Sequence, residues 1–253
     1  MAWHFLLSYL LVLAVLAYSA KAHIGGERAL LIGSLRAAAQ LGAMGYALVW
    51  VFTLKAPPVL FAVLGGMILF AAYTAQERVR VRPMGMLVAL AGIATASGVV
   101  IGSLLILGIL TSNANELIPI SGMVIGNAMN VYSLTVEQLK KETVARILEL
   151  EAKVALGASL QEAMHPYLQS AVKGALIPIT NNLKTVGVVW IPGMMTGMLV
   201  AGADPLLAVS YQLVVMYMIL AVSLLAGVLA VKLVYGKMLS TTYPGKKESR
   251  GSV

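Results

Sequence analysis

Residues 135–159 read TVEQLKKETVARILELEAKVALGAS and open the long polar stretch of the chain, residues 134–174. Six residues of this stretch recur at steps of three and four and so form a stripe along one face, which predicts one amphipathic helix. They are Val136, Leu139, Thr143, Ile147, Leu150 and Val154. Three acid–base pairs with the acid four residues ahead support that helix; they are Glu137–Lys141, Glu142–Arg146 and Glu149–Lys153. Gly157-Ala158-Ser159 then predicts a turn and an N-cap, followed by a short helix over 160–170.

The composition around this stretch is that of a membrane protein. Of 253 residues, 60% are hydrophobic and only 11% are charged, which excludes an ordinary soluble domain. The net charge of +8 does not predict nucleic-acid binding, because the basic residues cluster at the ends of apolar runs. The chain has no Cys, so disulfides, thiolate nucleophiles and cysteine metal sites are excluded.

Seven apolar segments are long enough to approach or exceed the roughly 18–20 residues that cross a bilayer core. We predict an all-α integral membrane protein, a single permease domain over residues 1–253, with spans at about 2–19, 29–53, 58–75, 84–111, 117–133, 184–203 and 205–232. The first span is expected to be retained, since no Lys or Arg precedes it as a signal peptide requires. The tail, about 243–253, is predicted to be disordered.

The distribution of charge predicts the orientation. If residues 134–174 are cytoplasmic, all Lys and Arg except Lys55 and Arg36 lie at or beyond the inner membrane face. The N-terminus is then outside and the C-terminus inside, as the positive-inside rule requires.

Small residues within two predicted spans have the spacing of close helix packing. Gly122 and Gly126 form one GxxxG pair, and Gly193 and Gly197 form another, just after Pro192. Such pairs let helix backbones approach closely in lipid.

Polar side chains at membrane depth either line a pathway or join helices by hydrogen bonds, and both interpretations stay open here. The candidates for pathway lining are Asn127, Asn130, Asn181, Asn182 and Thr185. The 14 methionines are interpreted as packing rather than as soft-metal ligands, because no Cys or His accompanies them. No metal ligand set is identified.

No catalytic motif is present, and the chain lacks a phosphate-binding P-loop. We therefore predict that the chain is not an enzyme and does not itself bind a cofactor. If it supports active transport, ATP and Mg belong to another subunit.

The polar stretch also contains E-A-x-x-x-x-G, as Glu151, Ala152 and Gly157. This pattern resembles the cytoplasmic loop of ABC-transporter permeases. A narrower resemblance covers most of the chain in collinear order, through IPISGMVIGNAMN, LGAS, ALIPITNNLKTVG, PGMMTGMLVAGADP and AVSYQLVVM, at 118–130, 156–159, 175–187, 192–205 and 208–216. These segments resemble the FetB-like permeases, which include bacterial iron-export permeases and plant aluminium-sensitivity half-permeases.

The resemblance implies a multi-pass permease of the cell membrane that is in contact with membrane lipid. It also implies that the permease pairs with a soluble ABC ATPase and is present as two copies. It implies metal-ion efflux, with iron as the leading cargo, whereas the plant relatives point to a nucleotide sugar. The residues expected to couple to the ATPase are Glu151, Ala152, Gly157, Ala158, Ser159 and His165. A channel without a motor is the remaining alternative, and the forty-residue cytoplasmic stretch argues against it.

Overall fold

The computed structural model describes residues 2–23, 25–53, 57–79 and 85–242. Within those ranges the regular elements are α-helices, apart from one isolated bridge between Val186 and Trp190, so the predicted all-α class is confirmed. The helices are α1 (Ala2–Lys21), α2 (Glu27–Thr53), α3 (Pro57–Val79), α4 (Gly85–Ile106), α5 (Ala114–Ala145), α6 (Ile147–Ala155), α7 (Leu160–Thr185), α8 (Gly193–Val200) and α9 (Pro205–Thr242). The predicted disordered tail lies outside the described residues.

The helices fall into two compact units. Helices α1 and α2 belong to a unit within residues 1–55, where Ser19 donates a 2.9 Å hydrogen bond to Glu27 and the Tyr9 hydroxyl lies 3.3 Å from Ser34 Oγ. Helices α3 to α9 belong to the second unit, within residues 56–253. The single permease domain over the whole chain stays a prediction.

Helix α5 lies at the centre of the second unit and packs against α3, α4, α7 and α9. One face of α5 is buried, and the buried residues recur at helical spacing. They are Leu117, Ser121, Val124, Ala128, Val131, Thr135 and Leu139. Thr135 can lie fully buried because its hydroxyl donates a 2.7 Å hydrogen bond to the carbonyl of Val131 within the same helix. A hydroxyl can lie in an apolar core when it donates its hydrogen bond to a backbone carbonyl of its own helix in this way.

Four described helical segments are long and apolar enough to cross a bilayer, namely Pro58–Val79, Gly85–Ile106, Ala114–Ala145 and Pro205–Tyr235. They coincide with the third, fourth, fifth and seventh predicted spans. Helices α1 and α2 occupy the first and second predicted spans but are not among the four. Together these segments make the chain a multi-pass membrane protein, and the count of seven and the orientation stay predictions.

The predicted single helix over the polar stretch is wrong in one respect. Helix α5 runs out of the apolar region to Ala145 and α6 begins at Ile147, with Arg146 between them at φ −126° and ψ 30°. The stripe is interrupted there, because Leu139 and Leu150 are buried whereas Ile147 is 44% exposed. The Thr143 hydroxyl bonds back to the carbonyl of Leu139 at 2.8 Å, a pattern that bends helices.

The predicted sixth span, about 184–203 with Pro192 breaking the helix, is interrupted as predicted at Pro192, but the non-helical stretch begins earlier, after Thr185. Helix α7 continues past residue 170 to Thr185, through Pro166 and Pro178, and α8 begins only at Gly193. Between them Gly187 has φ +81°, a conformation that ends helices. Pro192 follows as the N-cap of α8, where a missing N–H costs nothing. An average hydropathy does not register such breaks.

We expect Gly92→Ala to destabilise the protein. An added Cβ would lie 2.9 Å from Cε2 of Tyr132, whose side chain is buried, so the ring or the helix must move. Overpacking of this kind costs about 1–3 kcal/mol. The measurement is thermal unfolding of the purified chain in detergent.

Gly98→Ala on the same helix is the matched control, since its Cβ would meet nothing within 4 Å. Replacing this helical Gly by Ala stabilises by up to about 1 kcal/mol. If both variants melt at the same temperature, the close approach of α4 to Tyr132 is not a real constraint.

Candidate functional site

The turn between α6 and α7 is held by backbone bonds to the end of α6. Gly157 has φ +97°, and its N–H bonds to the carbonyl of Val154 at 3.0 Å. The N–H of Ala158 bonds to the carbonyl of Lys153 at 3.1 Å. A left-handed residue with these two bonds is the usual way to satisfy the last carbonyls of a helix. Gly157 is therefore required for its backbone, because an added Cβ would meet nothing within 4 Å.

Helix α7 begins with a capping box, which confirms the predicted N-cap. The Ser159 hydroxyl accepts from the Glu162 N–H at 3.3 Å, and the Glu162 carboxylate accepts from the Ser159 N–H at 2.9 Å. The Ser159 hydroxyl and N–H both hold the pKa of Glu162 below its usual range. The stabilisation is thus present at neutral pH and is lost as the pH falls through that lowered pKa.

Tyr167 of α7 contacts basic side chains of and beside α6. Its ring is buried, with Lys153 Nζ 5.3 Å and Arg146 Cζ 6.0 Å from the ring centre, within reach of cation–π attraction. Lys153 also pairs with Glu149 at 2.8 Å, and this hydrogen bond lowers the pKa of the Glu149 carboxyl. Farther along α7, the Ser170 hydroxyl donates to Glu142 of α5 at 3.2 Å.

The six residues predicted to couple to the ATPase lie around this turn. Ala158 is half-buried, and the other five are exposed; they are Glu151, Ala152, Gly157, Ser159 and His165. Gly157, Ala158 and Ser159 form the turn itself, whereas Glu151 and Ala152 lie on α6 and His165 lies on α7.

A cavity of about 490 Å³ lies where the chain breaks between α7 and α8. Its walls come from α5, α7, the break, α8 and α9, with Arg78 at the end of α3. At a rise of 1.5 Å per residue, Asn127 lies about 20 Å from the start of α5 and Gln212 about 10 Å from the start of α9. The cavity thus opens within the length of the two apolar helices, not at their ends.

Three of the five predicted pathway residues line this cavity, namely Asn127, Asn130 and Asn182. The Asn127 amide donates to the carbonyl of Met123 at 2.8 Å, which leaves its oxygen available. Asn181 and Thr185 are not among the lining residues. Thr185 instead holds the break, because its hydroxyl accepts from Trp190 Nε1 at 3.1 Å.

Two cavity residues on α9 were missed by the sequence reasoning. Gln212 is 5% exposed and Ser223 is 1% exposed, and both line the cavity. A Gln inside an apolar span is a recognisable signal, since polar side chains at that depth are costly. Three thioethers were assigned to packing, and they also line the cavity: Met123, Met194 and Met216.

The predicted packing glycines differ in their surroundings. A Cβ on Gly122 would lie 3.1 Å from Met67 Cε, whereas one on Gly126, Gly193 or Gly197 would meet nothing within 4 Å in this chain. Gly193 lines the cavity. The close helix approaches occur instead at Gly92, against Tyr132, and at Gly227, against Val172.

Among the lining residues, Arg78 is the charged one, and its Nε lies 3.7 Å from Glu137. No group of three or more His, Cys, Asp or Glu able to hold a metal occurs in the part of the chain that the structure describes. The donors that the cavity does offer are amides, hydroxyls and thioethers.

The family pattern described as "Uncharacterised protein family (UPF0014)" matches residues 2–239. The chain belongs to the UPF0014 family. Family relatives include the "Probable iron export permease protein FetB" of Escherichia coli (strain K12), 29% identical over 94% of this chain and 92% of the relative. The "UPF0014 membrane protein YjkA" of Bacillus subtilis (strain 168) is 34% identical over 92% and 94%.

A plant relative, "Protein ALUMINUM SENSITIVE 3" of Arabidopsis thaliana, is 30% identical over 92% of this chain and 85% of its own length. These relatives confirm the resemblance to the FetB-like permeases. No solved structure matches the chain.

We expect Ser159→Ala to loosen the first turn of α7, because the Glu162 N–H loses its acceptor. Loss of an N-cap costs about 0.5–2 kcal/mol, and Ser159→Asp should restore the acceptor. Hydrogen exchange of the amides at 160–163, at one fixed pH, measures the effect. Equal exchange in the Ala variant and the unaltered chain would mean that the cap does not hold the turn.

Proposed function

We propose that this chain is the membrane-spanning subunit of an ATP-driven ABC exporter of metal ions, with iron as the leading cargo. A separate soluble ATPase binds residues 134–174, two copies of the chain form the transporter, and each crosses the cell membrane seven times. The relative named for iron export supports the cargo, and the absence of a P-loop supports a separate motor.

The observation that carries this proposal is the continuity of α7. A single helix of 26 residues begins at the capped turn and ends at the break beside the cavity. A displacement of Ser159 can therefore be transmitted to Asn182, which lies about 35 Å along the helix at a rise of 1.5 Å per residue. One helix therefore connects the two sites, and the interior Pro166 and Pro178 are positions at which it can bend.

The sixth crossing is then made of two pieces. The last turns of α7 enter the membrane, the chain breaks at 186–192, and α8 completes the passage before α9 returns. Helices broken at membrane depth, with a polar cavity at the break, are characteristic of transporters. The mechanism follows: closure of the ATPase pair moves the turn at Gly157, α7 shifts against α5, and the cavity opens to alternate sides.

The orientation can be tested with single cysteines, since the chain has none. We expect Ala158→Cys to react with a membrane-impermeant maleimide only after cells are opened. Asn115→Cys, near the start of α5, should react in intact cells. Labelling of Ala158→Cys in intact cells would place the coupling turn outside and refute the proposal.

Gly157→Val should uncouple the transporter. A β-branched residue in the left-handed region is strained by at least about 1–2 kcal/mol, so the turn that receives the push would change shape. We expect the permease to copurify with its ATPase but to lose most of its stimulation of ATP hydrolysis in nanodiscs.

Ala155→Val is the control, since it adds the same side chain to an exposed position of α6 two residues earlier. Full stimulation by Gly157→Val would remove this turn from the mechanism. Failure of the unaltered chain to copurify with any ABC ATPase would remove the motor altogether.

A further inference from the structure

The cavity contains two buried polar atoms whose hydrogen-bonding capacity is unused. Gln212 Oε1 and Ser223 Oγ have no hydrogen-bond partner among the described residues, although both residues are more than nine-tenths buried. Both belong to α9 and line the same cavity. Buried polar atoms without a partner are uncommon and call for an explanation. A ligand that donates hydrogen bonds would supply the missing partners.

The N-terminus of α8 faces the same space. Pro192, Gly193 and Met194 line the cavity, and no side chain caps this helix end. The first bond of the helix is donated by Thr196 to the carbonyl of Pro192, so the N–H groups of residues 193–195 have no acceptor within α8. Free N–H groups and the positive end of the helix dipole favour an anionic group.

The charged residues around the cavity agree with an anion. Of the described lining residues Arg78 is the charged one, paired with Glu137 at 3.7 Å, and none of them is Asp, Glu or His. A bare Fe²⁺ or Fe³⁺ ion would therefore meet no carboxylate or imidazole in these walls, although those are ligands that iron commonly takes in proteins. The volume of about 490 Å³ falls within the roughly 300–1,000 Å³ of small-molecule sites.

We propose that the cavity binds a hydroxylated carboxylate anion and that the metal crosses as the complex of that anion. This inference rests on the proposed function and names the form of its cargo. A carboxylate of the complex lies at the α8 N-terminus, and a water molecule bound to the metal donates to Gln212 Oε1. The thioethers of Met194 and Met216, with Trp190, pack against the carbon skeleton. The carboxylates that the cavity lacks come with the metal.

Equilibrium dialysis of the purified full-length permease in nanodiscs, without ATPase or ATP, tests this. The probes are ⁵⁵Fe as ferric citrate, ⁵⁵Fe²⁺ in a buffer without chelator, and [¹⁴C]citrate without metal. We expect ferric citrate to bind saturably and at least tenfold more tightly than Fe²⁺. Gln212→Leu should weaken ferric citrate at least threefold, and Ser223→Ala, about 16 Å farther along α9, should have a smaller effect.

Two controls replace the same residue types away from the cavity. Gln76→Leu lies on α3, and Ser97→Ala removes a buried hydroxyl that is satisfied by the carbonyl of Ile93; both should bind ferric citrate as the unaltered chain does. Circular dichroism and melting temperature identify variants that fail to fold.

Three results would overturn the inference. Fe²⁺ could bind as tightly as ferric citrate, the folded Gln212 and Ser223 variants could bind normally, or metal-free citrate could bind as tightly as the complex. The last result would identify the free anion as the ligand. Because no ATPase is present, failure here together with normal coupling would leave the proposed function intact.

Discussion

The structure depends on one constraint: a backbone that leaves the helix inside an apolar region must satisfy its N–H and C=O groups within the protein. The break at 186–192 meets this constraint in part through its own bonds, since the N–H groups of Val188 and Val189 reach the carbonyl of Thr185 at 3.2 and 2.9 Å. Trp190 adds a side-chain bond to the same residue. The remaining groups, at the start of α8, lie against a cavity lined by both apolar and polar side chains. The cavity and the break are therefore neighbours in the structure.

That feature explains why polar residues converge on it from separate parts of the chain. Asn127 comes from α5, Asn182 from the end of α7 and Gln212 from α9, and all three line the cavity. Helix α7 connects this centre to the capped turn, while α5 and α9 flank it. Residues far apart along the chain thus meet at one cavity.

Much of this could be predicted from the sequence where the determinants are local. The cap at Ser159 and the ion pairs Glu137–Lys141 and Glu149–Lys153 depend on residues within four positions, and the structure contains them. The break of the sixth span at Pro192 was predicted, whereas its earlier start near Gly187 was missed, because average hydropathy does not register a left-handed residue. Asn127, Asn130 and Asn182 were found because a polar residue in an apolar run is conspicuous. The unpaired atoms of Gln212 and Ser223 could not be found, since they depend on which side chains from distant helices fail to reach them.

The length of α9 has a consequence for the lipid around the protein. Its 38 residues span about 57 Å at 1.5 Å per residue, which exceeds the roughly 40–45 Å of a whole bilayer with its headgroups. The helix must tilt, or project from the surface beside the polar end of α5. In a thicker membrane it stands more upright, and in a thinner one it leans further. Because α9 forms one wall of the cavity, its tilt alters the shape of the cavity. The length of the lipid acyl chains therefore affects the cavity, and the same protein performs differently in different membranes.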